Sequence, residues 1–396
     1  MFESISPAPP DAILGLTEAF KADPHPEKIN LGVGVFKDDQ GRTPVLSSVK
    51  KAEAKLLEAE DTKTYLPISG SPEYASGVQG LLFGEDHALI RDKRVQTAHT
   101  PGGTGGLRVG GEFLKAFRPD ATIWVSSPTW ANHKAVFTAA GLPIREYPYY
   151  DAEKKGLDFD GMLSALESVP EGDIVLLHVC CHNPTGVDPD PEQWKRIADA
   201  AEKGGWFPFF DFAYQGFGVS VEADRAPLLL FAERGLEFMV AASCSKNFGL
   251  YSERTGSVSL VAPTADAAAA GFSHVKKLIR CNYSNPPRHG ASIVETILAD
   301  ADLRAEWLKE LEGMRDRIKD LRAEFVSGLT SRGVDRDFGF ITEQNGMFSF
   351  SGLTPDQVEV LRETYSIYIV GSGRINVAGI NSDNLGRLCD AIADVL

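Results

Sequence analysis

FMVAASCSKNFGLYSERTGS, residues 238–257, opens on four apolar residues, Phe238 to Ala241, and passes at once into the small polar cluster Ser243, Cys244, Ser245, Lys246. An apolar run that short, closed by small polar residues, predicts the end of a buried strand with a loop behind it. The same design repeats upstream. Short apolar runs stand at TIWVS (122–126), IREYPYY (144–150), DIVLLHV (173–179), WFPFF (206–210) and FMVAA (238–242). Helical patterns separate most of them, for example Gly105 to Phe117 and Pro191 to Lys203. Fully apolar strands alternating with helices imply an α/β fold with a mostly parallel sheet covered on both faces. Sheets of that kind bind ligands beyond the carboxyl ends of their strands.

Lys246 leaves such a strand end amid small residues, with the fixed cation Arg254 further along the same loop. Desolvation and a like charge both lower an amine pKa, and a neutral amine can form a Schiff base with an aldehyde. Ser243, Ser245 and Arg254 set two hydroxyls and a guanidinium around that amine, a set that suits a phosphate. An amine beside a phosphate cup points to pyridoxal phosphate. By itself S-x-S-K also fits a surface loop with an incidental lysine, so the other segments have to decide.

Four more segments offer chemistry, each with a plainer alternative. In TPGGTGG (100–106), Gly102, Gly103 and Thr104 would present amides and a hydroxyl at a helix N-terminus, a natural phosphate site or simply a turn and cap. The segment lacks the lysine of a P-loop and is not G-x-G-x-x-G. Asp211 directly follows the strand WFPFF, with Tyr214 three residues on. A carboxylate in that apolar setting needs a partner; a protonated pyridine nitrogen would serve and would keep the ring an electron sink, whereas a loop cap would need no cofactor. In HVCCHNPTGVDP (178–189), His178, Cys180, Cys181 and His182 alternate faces at no zinc spacing, so no metal is expected. Asn183 before Pro184 reads as an amide fixed by a rigid turn, able to donate to a phenolate oxygen. In SSPTWANH (126–133), Trp130 could stack on an aromatic cofactor or be ordinary core, and His133 could support a buried carboxylate such as Asp211. Arg374 in SGRINVAG and Arg280 in IRCNYSNPP could each take one carboxylate, together suiting a dicarboxylic acid; in isolation both would read as surface arginines.

The 396 residues allow about two domains. A net charge of −15 and a pI near 5.1 argue against nucleic acid or an anionic membrane as partner, so an anionic substrate needs local arginines. The cysteines, Cys180, Cys181, Cys244, Cys281 and Cys389, are odd in number and do not read as a disulfide framework. A reducing, cytoplasmic compartment is expected. The N-terminus MFESISPAPPDAILGL has no basic segment before an apolar run, and no stretch approaches 18 apolar residues, so neither export signal nor membrane span is expected. Residues 1–12 read as an extended arm, with short helices at Ala12 to Lys21 and Ser47 to Glu60. Residues 300–330 read as a long helix with an apolar stripe (Trp307, Leu308, Leu311, Met314, Ile318, Leu321) leading into a second domain. There, strands in MFSFSGL, IYIV and RINVAG precede a terminal helix from Ser382.

Taken together, the motifs resemble the aspartate and aromatic amino acid aminotransferases, fold type I pyridoxal phosphate enzymes of subgroup I-alpha. The resemblance runs nearly end to end, through APPDAILGL (8–16), LGVGVFKD (31–38), TKTYLPISG (62–70), TPGGTGG, SPTWANH, CCHNPTGVDP (180–189), FFDFAYQGF (209–217), SCSKNFGLYSERTG (243–256), NYSNPPRHGA (282–291), GMFSFSGL (346–353) and SGRINVAG (372–379). It implies an arm over 1–12, a large cofactor-binding domain over 45–313, and a smaller α/β domain from 13–44 and 314–396 that closes over substrate. It further implies that Lys246 binds the cofactor covalently and, once released, moves the substrate proton. Asp211 would pair with the pyridine nitrogen, Tyr214 and Asn183 with the phenolate oxygen, and Trp130 would stack on the ring. Gly103, Thr104, Ser243, Ser245 and Arg254 would hold the phosphate, with Tyr65 reaching in from a second subunit. Arg374 would bind the α-carboxylate, with Gly34 and Asn183 nearby, and Arg280 of the other subunit the distal carboxylate. A shared site of that kind requires a homodimer. Gly102 stands where the best-known animal members have a serine in the phosphate cup.

The expected reaction is transfer of an amino group between L-aspartate and 2-oxoglutarate, the setting of Arg280 (RCNYSNPP) favouring aspartate. A preference for tyrosine or phenylalanine, or dual specificity, is the closest alternative. A regulator carrying this fold behind a DNA-binding segment is disfavoured by the acidic charge, and decarboxylation or β-elimination would use the same cofactor with different positioning.

Overall fold

The computed structural model describes residues 2–7 and 12–396. It contains two compact units, Met1–Thr43 with Arg317–Leu396, and Pro44–Asp316. The second unit is built on a seven-stranded sheet in the order Val95–Pro101, Thr255–Val261, Phe238–Ser243, Phe207–Phe212, Ile174–His178, Ile123–Ser127, Ile144–Pro148. All five expected apolar strands are present, with ends moved by one or two residues. The two others lay unseen in the sequence for a physical reason. Thr255–Val261 (TGSVSLV) and Val95–Pro101 (VQTAHTP) interleave polar residues with apolar ones, and one such pair bonds across the strands, Thr97 Oγ1 to Ser259 Oγ at 2.8 Å. Thr255–Val261 runs antiparallel to both neighbours, while every other pair in the sheet is parallel.

The core follows from strand alternation. Ile123, Val125, Ile174, Leu176, Phe209, Met239, Ala241 and Val258 share one buried cluster with Leu107, Val109 and Leu114 of the helix Gly102–Phe117. That helix begins three residues earlier than its sequence pattern suggested, and its glycines explain how close it lies to the sheet. Gly106 and Gly110 are four apart and share a face. A Cβ at Gly106 would lie 2.5 Å from Ser257 O, and one at Gly110 2.4 Å from Phe209 Cζ. We therefore expect Gly106→Ala to destabilise the protein by about 1–3 kcal/mol through overpacking. Alanine is intrinsically the better helix former by about 1 kcal/mol. Gly313, exposed in the helix Ala301–Thr330 with nothing within 4 Å of a built Cβ, should show that gain when replaced by alanine. Urea denaturation of the two variants would give opposite shifts; the same sign for both would refute the packing account.

In the first unit, Ile29–Asn30 pairs in parallel with Ile367–Tyr368, and Phe348–Phe350 pairs antiparallel with Arg374–Asn376. Arg322, fully enclosed, donates to the carbonyls of Ile341, Gly346 and Phe348 at 2.9, 2.7 and 2.8 Å, giving these buried carbonyls a donor. The terminal helix spans Leu385–Val395, starting three residues after Ser382. Of the expected arm 1–12, residues 1 and 8–11 lie outside the described residues, and Phe2–Ser4 forms one 3-10 turn. Among the described residues no helix is long and apolar enough to cross a membrane.

Candidate active site

Asp211 is the penultimate residue of the Phe207–Phe212 strand, opposite Ala241 and His178 on the flanking strands. The sequence pattern places it just after the strand; pairing of Asp211 on both sides and of Phe212 with Ala242 carries the strand on. Its carboxylate lies 3.0 Å from His133 Nε2 and 4.0 Å from His178 Nε2. Thr129 Oγ1, 2.8 Å from His133 Nδ1, fixes the ring from the other side. Burial acts to raise the carboxyl pKa, but the His133 hydrogen bond, with the charges of His133, His178 and Lys246, outweighs it and holds Asp211 below the usual carboxylate range. The anion is therefore kept in an interior where an unpaired one would be costly.

Lys246 Nζ lies 4.6 Å from the centre of the Tyr214 ring. Burial, opposed by Asp211 and aided by Arg254, brings its amine down to about 8. The loop carrying it is anchored from behind. Trp307 donates its indole N–H to Asn247 O at 2.7 Å and stacks on Phe248 with ring centres 4.3 Å apart. Nothing in the sequence pattern distinguished Trp307 from the rest of its apolar stripe.

The phosphate candidates converge at the start of Gly102–Phe117. No side chain caps this helix, and since Gly102 N donates to Arg254 O, it is the amides that follow Gly102 that can serve an anion. A Cβ at Gly103 would sit 3.1 Å from Ser243 Cβ, placing the helix start against the strand end that leads to Lys246. Ser243 Oγ accepts from Ser245 N at 3.2 Å, and both serines are buried. Arg254 closes this corner: its carbonyl accepts from Gly102 N at 2.9 Å. Gly102 has φ +70, and a Cβ there would lie 2.4 Å from Arg254 Nη2. A serine at 102 would thus displace the guanidinium as it stands here. Strand spacing puts Ser243 about 8 Å from Asp211 along the sheet.

Asn183 is buried in the loop after Ile174–His178, which Asp188 closes by accepting from Cys181 N and His182 N at 2.8 and 2.9 Å. His182 bonds Ser126 Oγ (2.9 Å) and Thr185 Oγ1 (2.8 Å), and Tyr149 stacks on it at 3.8 Å. Trp130, half-buried, meets His133 edge to face at 5.2 Å. In the other unit, Arg374 is buried, donates to Gly32 O at 2.6 Å and lies 4.3 Å from the Phe348 ring centre. Gly34 is packed so closely on Phe348 that a Cβ would be 2.6 Å from Cζ. Tyr65 is 88 % exposed, and Arg280 is exposed on the last turn of Ala265–Asn282, donating to Ser284 Oγ. This chain therefore gathers Lys246, Asp211, Tyr214, Ser243, Ser245, Arg254 and the 102–104 turn in one unit, and leaves Tyr65 and Arg280 facing outward. Thr129 and His178 were not assigned to the site from sequence; His178 had been noticed only as part of a discarded metal pattern.

This donor set fits pyridoxal phosphate: a buried amine brought near neutrality, a buried carboxylate held ionised, and hydroxyls, amides and a guanidinium for a phosphate. Comparison with known proteins agrees. Residues 26–392 match the family described as aminotransferase class I and II. The chain is 57 % identical over 396 residues to an aspartate aminotransferase of Salmonella typhi, and 56 % identical to one of Escherichia coli strain K12, with 100 % of both chains covered in each case. The structure of an aromatic-amino-acid aminotransferase from Burkholderia pseudomallei, covalently bound to pyridoxal phosphate, matches with a TM-score of 0.98 at 49 % identity, covering 100 % of this chain and 99 % of that one. Site geometry and end-to-end similarity lead to one conclusion: the chain belongs to the class I and II aminotransferases and works with pyridoxal phosphate.

Proposed function

We infer that this enzyme transfers amino groups reversibly between L-aspartate and 2-oxoglutarate, yielding oxaloacetate and L-glutamate. The observation that carries the chemistry is Lys246, buried beside the ionised Asp211 with its amine near neutrality. The preference for aspartate is supported by 57 % identity to an aspartate aminotransferase across the whole length of both chains. Pyridoxal phosphate, when bound, supplies an electron-poor ring that accepts the electron pair left as the substrate's α-C–H bond breaks.

The remaining work belongs to the protein. Gly103, Thr104, Ser243, Ser245 and Arg254 hold the phosphate. Asp211, steadied by His133 and Thr129, keeps a proton on the ring nitrogen. Tyr214 and Asn183 donate to the phenolate oxygen, and Trp130 covers the ring. Lys246 would hold the cofactor through its amine and, once released, would carry the α-proton. Arg374 takes the α-carboxylate, with Gly34 and Asn183 nearby. Arg280 takes the distal carboxylate and Tyr65 a phosphate oxygen, each in the site of a second copy of the chain; their outward exposure supports that homodimer. The cytoplasm suits five cysteines that are all free thiols.

The test is a single half-reaction. The cofactor-loaded protein is mixed separately with L-aspartate and L-phenylalanine, and loss of its visible absorbance gives the ratio of kcat/KM. Aspartate should react much faster; equal or faster reaction with phenylalanine would make the enzyme an aromatic aminotransferase with the same cofactor and lysine. Removing one partner of a desolvated charge pair costs about 2–5 kcal/mol. Arg280→Asp should accordingly slow aspartate by about 10²-fold while leaving phenylalanine within a few fold. Equal losses on both would remove Arg280 from the distal carboxylate.

A further inference from the structure

His178 enters the site described above only as a neighbour of Asp211. Its side chain is only 4 % exposed, and neither ring nitrogen has a hydrogen-bond partner, an arrangement that is costly in a protein interior. His178 Nε2 is 4.0 Å from Asp211 Oδ2, and His133 Nε2 is 3.0 Å from that same oxygen. One ligand atom from each of the three residues lies within 4.8 Å of the others. They come from the helix Asn132–Ala139, the end of Ile174–His178 and the end of Phe207–Phe212. The metal pattern discarded from the sequence involved neighbours along one strand; this trio is assembled across three elements.

We propose that in the cofactor-free protein His133, His178 and Asp211 bind one divalent transition-metal ion of the zinc type, in competition with the cofactor. Two imidazoles and a carboxylate with an open fourth position form a ligand set such ions favour. Bonds of about 2.0–2.2 Å place the ligand atoms of a tetrahedral ion roughly 3.3 Å apart. The observed separations of 3.0 and 4.0 Å lie on either side of that spacing. Without metal, the His133 Nε2–H donates to Asp211. With metal, the Nε2 lone pair goes to the ion and the ring N–H is on Nδ1, where Thr129 Oγ1 accepts it and keeps the ring oriented. His178 binds through Nε2 and keeps its proton on Nδ1. The Asp211 carboxylate, 9 % exposed, is the way in. Competition rests on the pairing of Asp211 with the cofactor's ring nitrogen proposed above, since one carboxylate cannot serve both.

The experiment titrates the cofactor-free and cofactor-loaded protein with Co²⁺, read by its visible absorption and by equilibrium dialysis, followed by displacement with Zn²⁺. The proposal expects one ion per cofactor-free chain with the bands of a tetrahedral nitrogen and oxygen site, none in the loaded protein, and cofactor uptake slowed at least about tenfold by stoichiometric Zn²⁺. His178→Asn, which removes one of three protein ligands, should weaken the metal by more than the roughly 10–100-fold that loss of an outer hydrogen-bond partner costs. No stoichiometric ion in the cofactor-free protein, or binding indifferent to His178→Asn, overturns the site and leaves the cofactor assignment standing. Equal binding with and without cofactor overturns the competition, and with it the pairing of Asp211 with the ring nitrogen. The comparison of loaded and cofactor-free protein needs no variant, so a misfolded substitution would not obscure it.

Discussion

Lys246→Ala is expected to abolish turnover while leaving the cofactor noncovalently held. The reasoning starts from burial: an amine enclosed beside Asp211 and Arg254 titrates at about 8, so a useful fraction is neutral under ordinary conditions. A neutral amine is both the nucleophile for an aldehyde and a base for a carbon acid. Alanine removes both functions, and the proton-transfer function alone is worth about 10²–10⁴-fold. The phosphate donors are untouched by the change, because Ser243, Ser245 and Arg254 are placed by the strand end, the Gly102 contact and the loop that Trp307 anchors. Cofactor should therefore remain after desalting but be lost on acid precipitation, where the parent retains it covalently after borohydride treatment. The amine also sets a pH dependence. Below about 8 the neutral fraction grows tenfold per pH unit, so covalent attachment of added cofactor should accelerate with pH and level off above 8. Stopped-flow loading across pH 6–10 checks the profile. A variant that keeps more than a few per cent of turnover would remove Lys246 from the centre of the chemistry.

Much of this site was legible in sequence because the sheet is so regular. Apolar runs such as DIVLLHV and FMVAA announce parallel strands, and in a parallel sheet the residues just past those runs collect at one edge. Asp211, Asn183, Trp130 and the Ser243 to Lys246 cluster were singled out as candidates by that logic. What escaped had no periodic signal. The antiparallel Thr255–Val261 strand buries polar residues among apolar ones, Ser259 bonding across to Thr97. Helix Gly102–Phe117 starts at a glycine with positive φ, against Arg254, so its first turn looked like loop. Trp307 acts through a backbone carbonyl and a ring face some sixty positions away in sequence, a contact that only tertiary structure creates. His178 is similar: adjacent cysteines made it look like part of a local pattern, whereas register places it opposite Asp211.

Asp211→Asn is expected to lower kcat by about 10²–10³-fold, the scale associated with removing one preorganised electrostatic contact to a developing charge. The amide keeps the shape and a polar contact near His133 but carries no charge. Without the anion, the ring nitrogen of a bound pyridine loses the partner that keeps it protonated, and electron withdrawal from the reacting carbon falls. A cofactor analogue methylated on the ring nitrogen carries a fixed positive charge and should recover much of the loss in Asp211→Asn, while doing nothing for Lys246→Ala. That contrast separates an electrostatic role from a merely structural one. The same substitution has a stability signature whose sign follows from the lowered carboxyl pKa. A group held below its unfolded value contributes stability that is present above the ordinary carboxylate range and is lost as pH falls through the folded value. Asp211→Asn should therefore flatten the acid limb of the unfolding curve below about pH 4, measured in the cofactor-free protein so that loss of ligand does not contribute. If the analogue fails to rescue while the acid limb flattens as expected, Asp211 is a structural partner for His133 and His178, and the proton on the ring must be held by another group.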